Sequence, residues 1–175
     1  MPNKLSSRLL LAALLLPSVV LAELTVAGVD EDLERNVRAF AAIAAEPCDA
    51  DERLIRRRFR TLEKEVRTAL EPFGYYRPTI AATLSRDDEC WRASVTIEPG
   101  EPVRLRNVDI RIDGAASTDP AFQKLLAARS LTPGDVLVHA EYDRIKRALQ
   151  IRAADRGYFK AAYSEHRLDI WPDEG

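Results

Sequence analysis

Gly74-Tyr75-Tyr76-Arg77 returns as Gly157-Tyr158-Phe159-Lys160, 83 residues later (157 − 74). Each copy closes a stretch of helical periodicity. A glycine that ends a helix can take positive φ and reverse the chain. The aromatic behind it can then cover the seam between helix and sheet while the base stays in water. A second pair keeps nearly the same interval: Thr25-Val26-Ala27-Gly28 resembles Arg111-Ile112-Asp113-Gly114, 86 residues on (114 − 28). Two signatures at one spacing, in the same order of elements, point to two related units. Gly74, Tyr75, Tyr76, Gly157, Tyr158 and Phe159 are therefore expected to be structural corners.

Working outward from the first corner, Ile55, Phe59, Leu62, Val66, Ala69 and Phe73 step by three or four residues and predict a long amphipathic helix. Asp49 and Glu52 resemble a capping box at its start. The run Arg56-Arg57-Arg58 suggests phosphate or lipid headgroups, but its carboxylate neighbours favour a solvated helix face. Before it, Leu24 to Val29 reads as a short strand. Asp30 caps a first helix with Leu33, Val37, Phe40 and Ala44 on one face. After the corner, Ile80, Ala82 and Leu84 alternate with polar or small residues, and Trp91, Ala93, Val95 and Ile97 alternate with Arg92, Ser94, Thr96 and Glu98. The charged turn Arg86-Asp87-Asp88-Glu89 joins them as a hairpin. The order is strand, helix, helix, strand, strand.

The second unit begins the same way. Val108, Ile110 and Ile112 alternate as a strand, with a bulge or break near Arg106-Asn107. Asp119-Pro120 starts a short helix, Thr132-Pro133-Gly134 is a turn, and Tyr142, Ile145 and Leu149 mark a longer helix ending at Gly157. A strand is expected from Ala162 to Ile170. His139 falls in a turn and His166 in that strand, and both read as ordinary structural histidines.

The N-terminus reads as an export signal. Lys4 and Arg8 precede the apolar run Leu9–Leu16, Pro17 breaks it, and Val20-Leu21-Ala22 offers small residues for cleavage. An uncleaved anchor is the alternative. Residues 1–22 are assigned to the signal, 23–102 to the first unit and 103–175 to the second. Beyond the signal the chain has 26 − 2 = 24 basic and 28 acidic side chains, so no global positive field is available for nucleic acid. Cys48 and Cys90 are the two cysteines. Tracing the path places both at the same end of the first unit, so in an oxidising compartment they should pair. No CxxC pair, GxSxG or HExxH motif occurs, and no metal, cofactor or catalytic residue is expected.

With these elements in place, the chain resembles the start of TamA-type outer-membrane assembly factors of the Omp85 superfamily, which carry tandem POTRA domains. The matching residues are Gly28 with Leu33-Glu34-Arg35-Asn36-Val37-Arg38, Ala69-Leu70 through Gly74-Tyr75-Tyr76-Arg77-Pro78-Thr79-Ile80, Pro99-Gly100-Glu101-Pro102-Val103, and Arg156-Gly157-Tyr158-Phe159. The resemblance implies an α+β fold of β-α-α-β-β units, with the third strand lying between the first and second. In the second unit that last strand is not reached, so Ala162–Ile170 should not pair regularly with Val108–Ile112. It also implies a periplasmic recognition module for outer-membrane protein or autotransporter assembly, with a TamB-like periplasmic protein and outer-membrane clients as partners. Membrane association would come only through a barrel that these residues do not contain. The alternatives are a POTRA protein of two-partner secretion or cell division, and a periplasmic hydrolase.

Overall fold

The computed structural model describes residues 20–87, 90–129 and 131–172. Lys4, Arg8, the apolar run to Leu16, Pro17, the turn residues Asp88 and Glu89, and the tail Asp173–Gly175 lie outside the described residues.

Trp91, Ala93, Val95 and Ile97 are all buried, and the strand that carries them, β3 (Cys90–Glu98), is the centre of the sheet. β1 (Glu23–Ala27) pairs with it in parallel, from Glu23 opposite Arg92 to Ala27 opposite Thr96. β2 (Thr79–Asp87) pairs antiparallel on the other side, from Thr79 opposite Glu98 to Asp87 opposite Cys90. The order is β1-β3-β2. Alternation makes one face polar: Arg92 bridges Glu23 and Asp87 across all three strands in the open. The other face, with Leu24 and Val26 from β1, is covered by two helices.

α1 (Glu31–Phe40) is capped by the Asp30 carboxylate, which accepts the Leu33 amide at 2.9 Å. It buries Leu33 and Val37, but Phe40 is 43% exposed and Ala44 is not on this helix. The reason is an early stop. The chain leaves the helix at Ala41 and tightens into a 3-10 turn, Ala42–Ala45, whose first amide is taken by the Glu65 carboxylate at 3.0 Å. Ile43, in that turn, fills the core instead.

α2 (Glu52–Leu70) is capped by Asp51, not by Asp49: the Asp51 carboxylate accepts the Arg53 amide at 2.9 Å. It buries Ile55, Leu62, Val66, Ala69 and Leu70. Phe59 and Phe73 are half-buried at its margins, Phe73 in a 3-10 turn (Glu71–Phe73) that continues the helix to Gly74. Asn36 Nδ2 donates to the Ala69 carbonyl at 2.6 Å and locks α1 against α2. Each wholly buried aliphatic side chain here contributes on the order of 1.5–3 kcal/mol.

The end of the unit remote from Gly74 is stapled. Cys48 and Cys90 form a disulfide across 42 positions of sequence. Beside it the Trp91 indole donates to the Ala50 carbonyl at 3.0 Å, which satisfies its buried N–H. Val20–Ala22, which sequence assigns to the cleavage site, also lie here. The Ala22 amide donates to Glu46 O at 2.8 Å, the Cys48 amide donates to Val20 O at 2.9 Å, and the Ala22 side chain is buried.

Residues beyond Pro102 form α3 (Pro120–Ala127) and α4 (His139–Asp155), with a 3-10 turn at Gly114–Thr118. Phe122, Leu131, Leu137, Ile145 and Ala153 are the buried apolar side chains. The alternation at Val108–Ile112 and at Ala162–Ile170 predicts strands, yet neither segment is one; the two do not pair, as expected. Alternating side chains favour an extended backbone, but a strand is completed only by a neighbour that takes its amides and carbonyls. His166 is accordingly in irregular chain. Near the predicted break, Leu105 instead exchanges backbone hydrogen bonds with Gly134 and Asp135.

Asp119 organises this half. It is buried, caps α3 through the Ala121 amide at 2.9 Å, and accepts from Arg156 Nε at 2.9 Å and the Tyr158 hydroxyl at 3.2 Å. The Ala121 amide, and after it the Arg156 guanidinium, hold its carboxyl below the usual aspartate range against the opposing effect of burial.

Two outcomes follow. Thiol titration of the denatured, unreduced protein should find no reactive cysteine, and the Cys48→Ser/Cys90→Ser pair should lose up to about 4 kcal/mol of stability by loop-closure entropy. Two titratable thiols would contradict the pairing. For Asp119, the folded pKa lies below the unfolded one. Its stabilisation is therefore complete above the unfolded carboxylate range, about pH 4, and is lost as pH falls through the lower folded value. Asp119→Asn should lower the melting temperature followed at α3 and α4 resonances at neutral pH, with the gap from the parent closing in acid. A gap independent of pH would show that the charge contributes nothing.

Candidate functional site

The two outer strands of the sheet differ in how far their free edges are occupied. On β1, Arg38 donates to the Leu24 carbonyl. On β2, the Arg67 guanidinium ties the preceding Pro78 carbonyl to α2 at 2.9 Å. From Thr79 to Asp87, no backbone bond to anything but β3 is present among the described residues. One side of a nine-residue strand is open to pairing.

Beneath that edge runs a groove of about 300 Å³ between α2 and β2, lined by Arg56, Phe59, Arg60, Ala82, Thr83 and Leu84. Ile80, Ala82 and Leu84 point to the core side of β2 but remain half-buried, unlike their β3 neighbours, because no further strand covers them. The pairing edge and the groove, with Phe59, Ala82 and Leu84 on its apolar part, are therefore contiguous. A segment added to β2 would gain main-chain hydrogen bonds and place alternate side chains over Phe59 and Leu84. Sequence marks β2 as a strand but carries no sign that it is the open one, because openness is a property of topology.

The corner residues form a second constellation. Gly74 donates to Glu71 O at 2.9 Å and Tyr75 to Leu70 O at 3.3 Å; Gly157 donates to Ala154 O at 3.0 Å and Tyr158 to Ala153 O at 2.8 Å. Both glycines have positive φ, +91° and +80°. The two corners thus repeat one Schellman closure atom for atom. The aromatics behind them divide their roles. Tyr75 packs on the core of the first unit, and Tyr158 stacks edge-on against Phe122 with centroids 5.8 Å apart. The second aromatic of each pair turns away. Phe159 is 84% exposed and so fills no core.

Tyr76 reaches into the following half. Its hydroxyl lies 2.6 Å from His139 Nε2, and His139 is the first residue of α4 rather than part of a turn. Burial, and then the Glu71 charge, push the Tyr76 phenol up to about 12, so it keeps its proton and can donate to the ring nitrogen. Nothing in the sequence links these two residues, which stand 63 positions apart. The backbone reinforces the contact: Val103 N donates to Gly74 O and Leu137 N donates to Val103 O, each at 2.9 Å.

No group of three or more His, Cys, Asp or Glu suited to a metal occurs among the described residues, and no described helix is long and apolar enough to cross a membrane.

Comparison with known proteins places this geometry. The family model for POTRA domain TamA domain 1 matches residues 23–99, so that segment is a TamA-type POTRA domain. Among solved structures, the chain is similar to POTRA domains 1–2 of the periplasmic domain of Omp85 from Anabaena, at 16% identity over 87% of this chain and 88% of that one, TM-score 0.36. It is also similar to POTRA domains 1–3 of the same protein, at 18% identity over 86% and 56%, TM-score 0.36. Haemophilus influenzae BamA POTRA domains 3–5 match at 16% identity over 81% of this chain and 52% of that one, TM-score 0.35. The chain spans about half the length of the Haemophilus structure.

The two corner glycines separate backbone strain from contact. A Cβ on Gly74 would stand 2.7 Å from the Leu137 carbonyl oxygen, while one on Gly157 would meet nothing within 4 Å. Both alanine variants should lose about 1–2 kcal/mol for left-handed backbone. Gly74→Ala should lose measurably more in urea unfolding and should shift the His139 imidazole resonances. Equal losses, with His139 unmoved, would mean the corner does not hold the second half.

Proposed function

We propose, taking residues 23–99 as a TamA-type POTRA domain, that this chain is the periplasmic recognition region of an outer-membrane protein or autotransporter assembly factor. Residues 1–22 are its export signal, 23–102 its first POTRA unit and 103–175 a second unit. POTRA domains of Omp85 proteins are periplasmic, non-catalytic modules that engage other proteins. The observation that carries the reading is the open edge of β2 above the groove lined by Arg56, Phe59, Arg60, Ala82, Thr83 and Leu84. Strand addition suits a module that must accept many clients, because the main-chain ladder is indifferent to sequence and only alternate side chains are read. A TamB-like periplasmic protein and extended segments of outer-membrane clients are the partners. Cys48–Cys90, Gly74, Tyr75, Gly157 and Tyr158 support the scaffold, and Tyr76 joins the units.

A photo-crosslinking side chain at Thr83, on the β2 edge, should capture the TamB-like protein or an outer-membrane client in living cells. The same group at Thr25, on the polar face of β1, should not. Equal capture at both positions, or capture at Thr25 alone, would overturn the assignment of the β2 edge.

A further inference from the structure

Seven basic side chains of α2 divide into two sets. Arg56, Arg58 and Arg67 are paired, with Glu52 at 2.7 Å, Glu46 at 2.7 Å and Glu63 at 2.8 Å. Arg53, Arg57, Arg60 and Lys64 are exposed, and among the described residues no carboxylate, carbonyl or ring partners their side chains. These four are spaced by four, three and four residues, which puts them within about 60° of arc along about 16 Å of helix. They lie diametrically opposite Ile55, Leu62, Val66 and Ala69, which face the core. The row is therefore the outermost ridge of the domain. Like charges at such spacing weaken a helix, so the row is not explained by the stability of α2.

A convex row of cations has no converging cradle for a single phosphate ion and no apolar residue to bury against a peptide. Its complement is a flat array of anions, and three guanidiniums suit phosphate oxygens. Beyond the export signal the chain has 24 basic and 28 acidic side chains, so such an array would attract this ridge and repel the remainder, fixing one orientation. We infer that the ridge Arg53-Arg57-Arg60-Lys64 is a docking surface for an anionic phospholipid bilayer. It lays the first POTRA domain on the membrane with α2 downward and leaves the outer edge of β2 accessible from the side. This route to a membrane is separate from any barrel.

The test is co-sedimentation of the protein, as recovered from the periplasm, with phosphatidylcholine vesicles that contain or lack phosphatidylglycerol, at low and high salt. Binding should require phosphatidylglycerol and fall with salt. Arg57→Glu/Lys64→Glu should weaken it by about tenfold or more, since each cation at an anionic surface is worth roughly fivefold. These two residues avoid the groove, and the melting temperature of the variant should hold or rise. Arg147→Glu/Lys160→Glu changes net charge equally at exposed sites elsewhere and should stay within about twofold of the parent. Equal binding to both vesicle types, an equal loss in the control variant, or tighter binding to polyglutamate than to the anionic vesicles at matched charge would each overturn the proposal.

Discussion

The placement of β3 between β1 and β2 is the constraint on which the first domain depends. β3 is the last strand of the unit in sequence and the central one in the sheet: the ladders of both neighbours run only to it. Its inward side chains are buried more deeply than those of either neighbour, and its first residue carries one half of the disulfide. Without β3 there is no sheet for α1 and α2 to cover. With it, one outer edge is occupied by Arg38, and the other is left open above a shallow groove between α2 and β2. The binding edge is thus a by-product of the strand order, and needs no special residue to create it.

Much of this was legible in the sequence because it rests on local periodicity. The alternation from Trp91 to Ile97, the caps at Asp30 and Asp119, and the stripe from Ile55 to Ala69 depend on near neighbours, and the structure keeps them. What was not legible depends on distance. Phe40 has the spacing of a core residue but is exposed, because Glu65, from another helix, stabilises the turn that follows Ala41. The segment Ala162–Ile170 has the alternation of a strand but is irregular; that it would not pair with Val108–Ile112 was legible, and that it would not be extended as a strand was not. His139 and Tyr76 share no signature, and only the fold brings them together.

The two corners show how one local device serves two ends. The hydrogen bonds at Gly74 and Gly157 are the same, and in both the first aromatic turns inward. The second aromatic follows the surroundings: Tyr76 finds the start of α4, and Phe159 remains in solvent. The corner thereby closes a helix and presents a side chain to whatever follows in the chain, so neighbouring units in an array can be coupled without a dedicated linker.

The disulfide also sets an order of maturation. Cytosolic thiols stay reduced, so the bond between Cys48 and Cys90 is withheld until the chain reaches an oxidising compartment. Under the export proposed above, the first domain would lack the covalent loop and the stability it confers until it had crossed, which suits a polypeptide threaded unfolded through a translocation pore. Oxidation closes the end of the domain where Trp91 meets Ala50, and unfolding becomes harder. For an exported chain, the same two sulfur atoms would leave it pliant on one side of the membrane and fix its shape on the other.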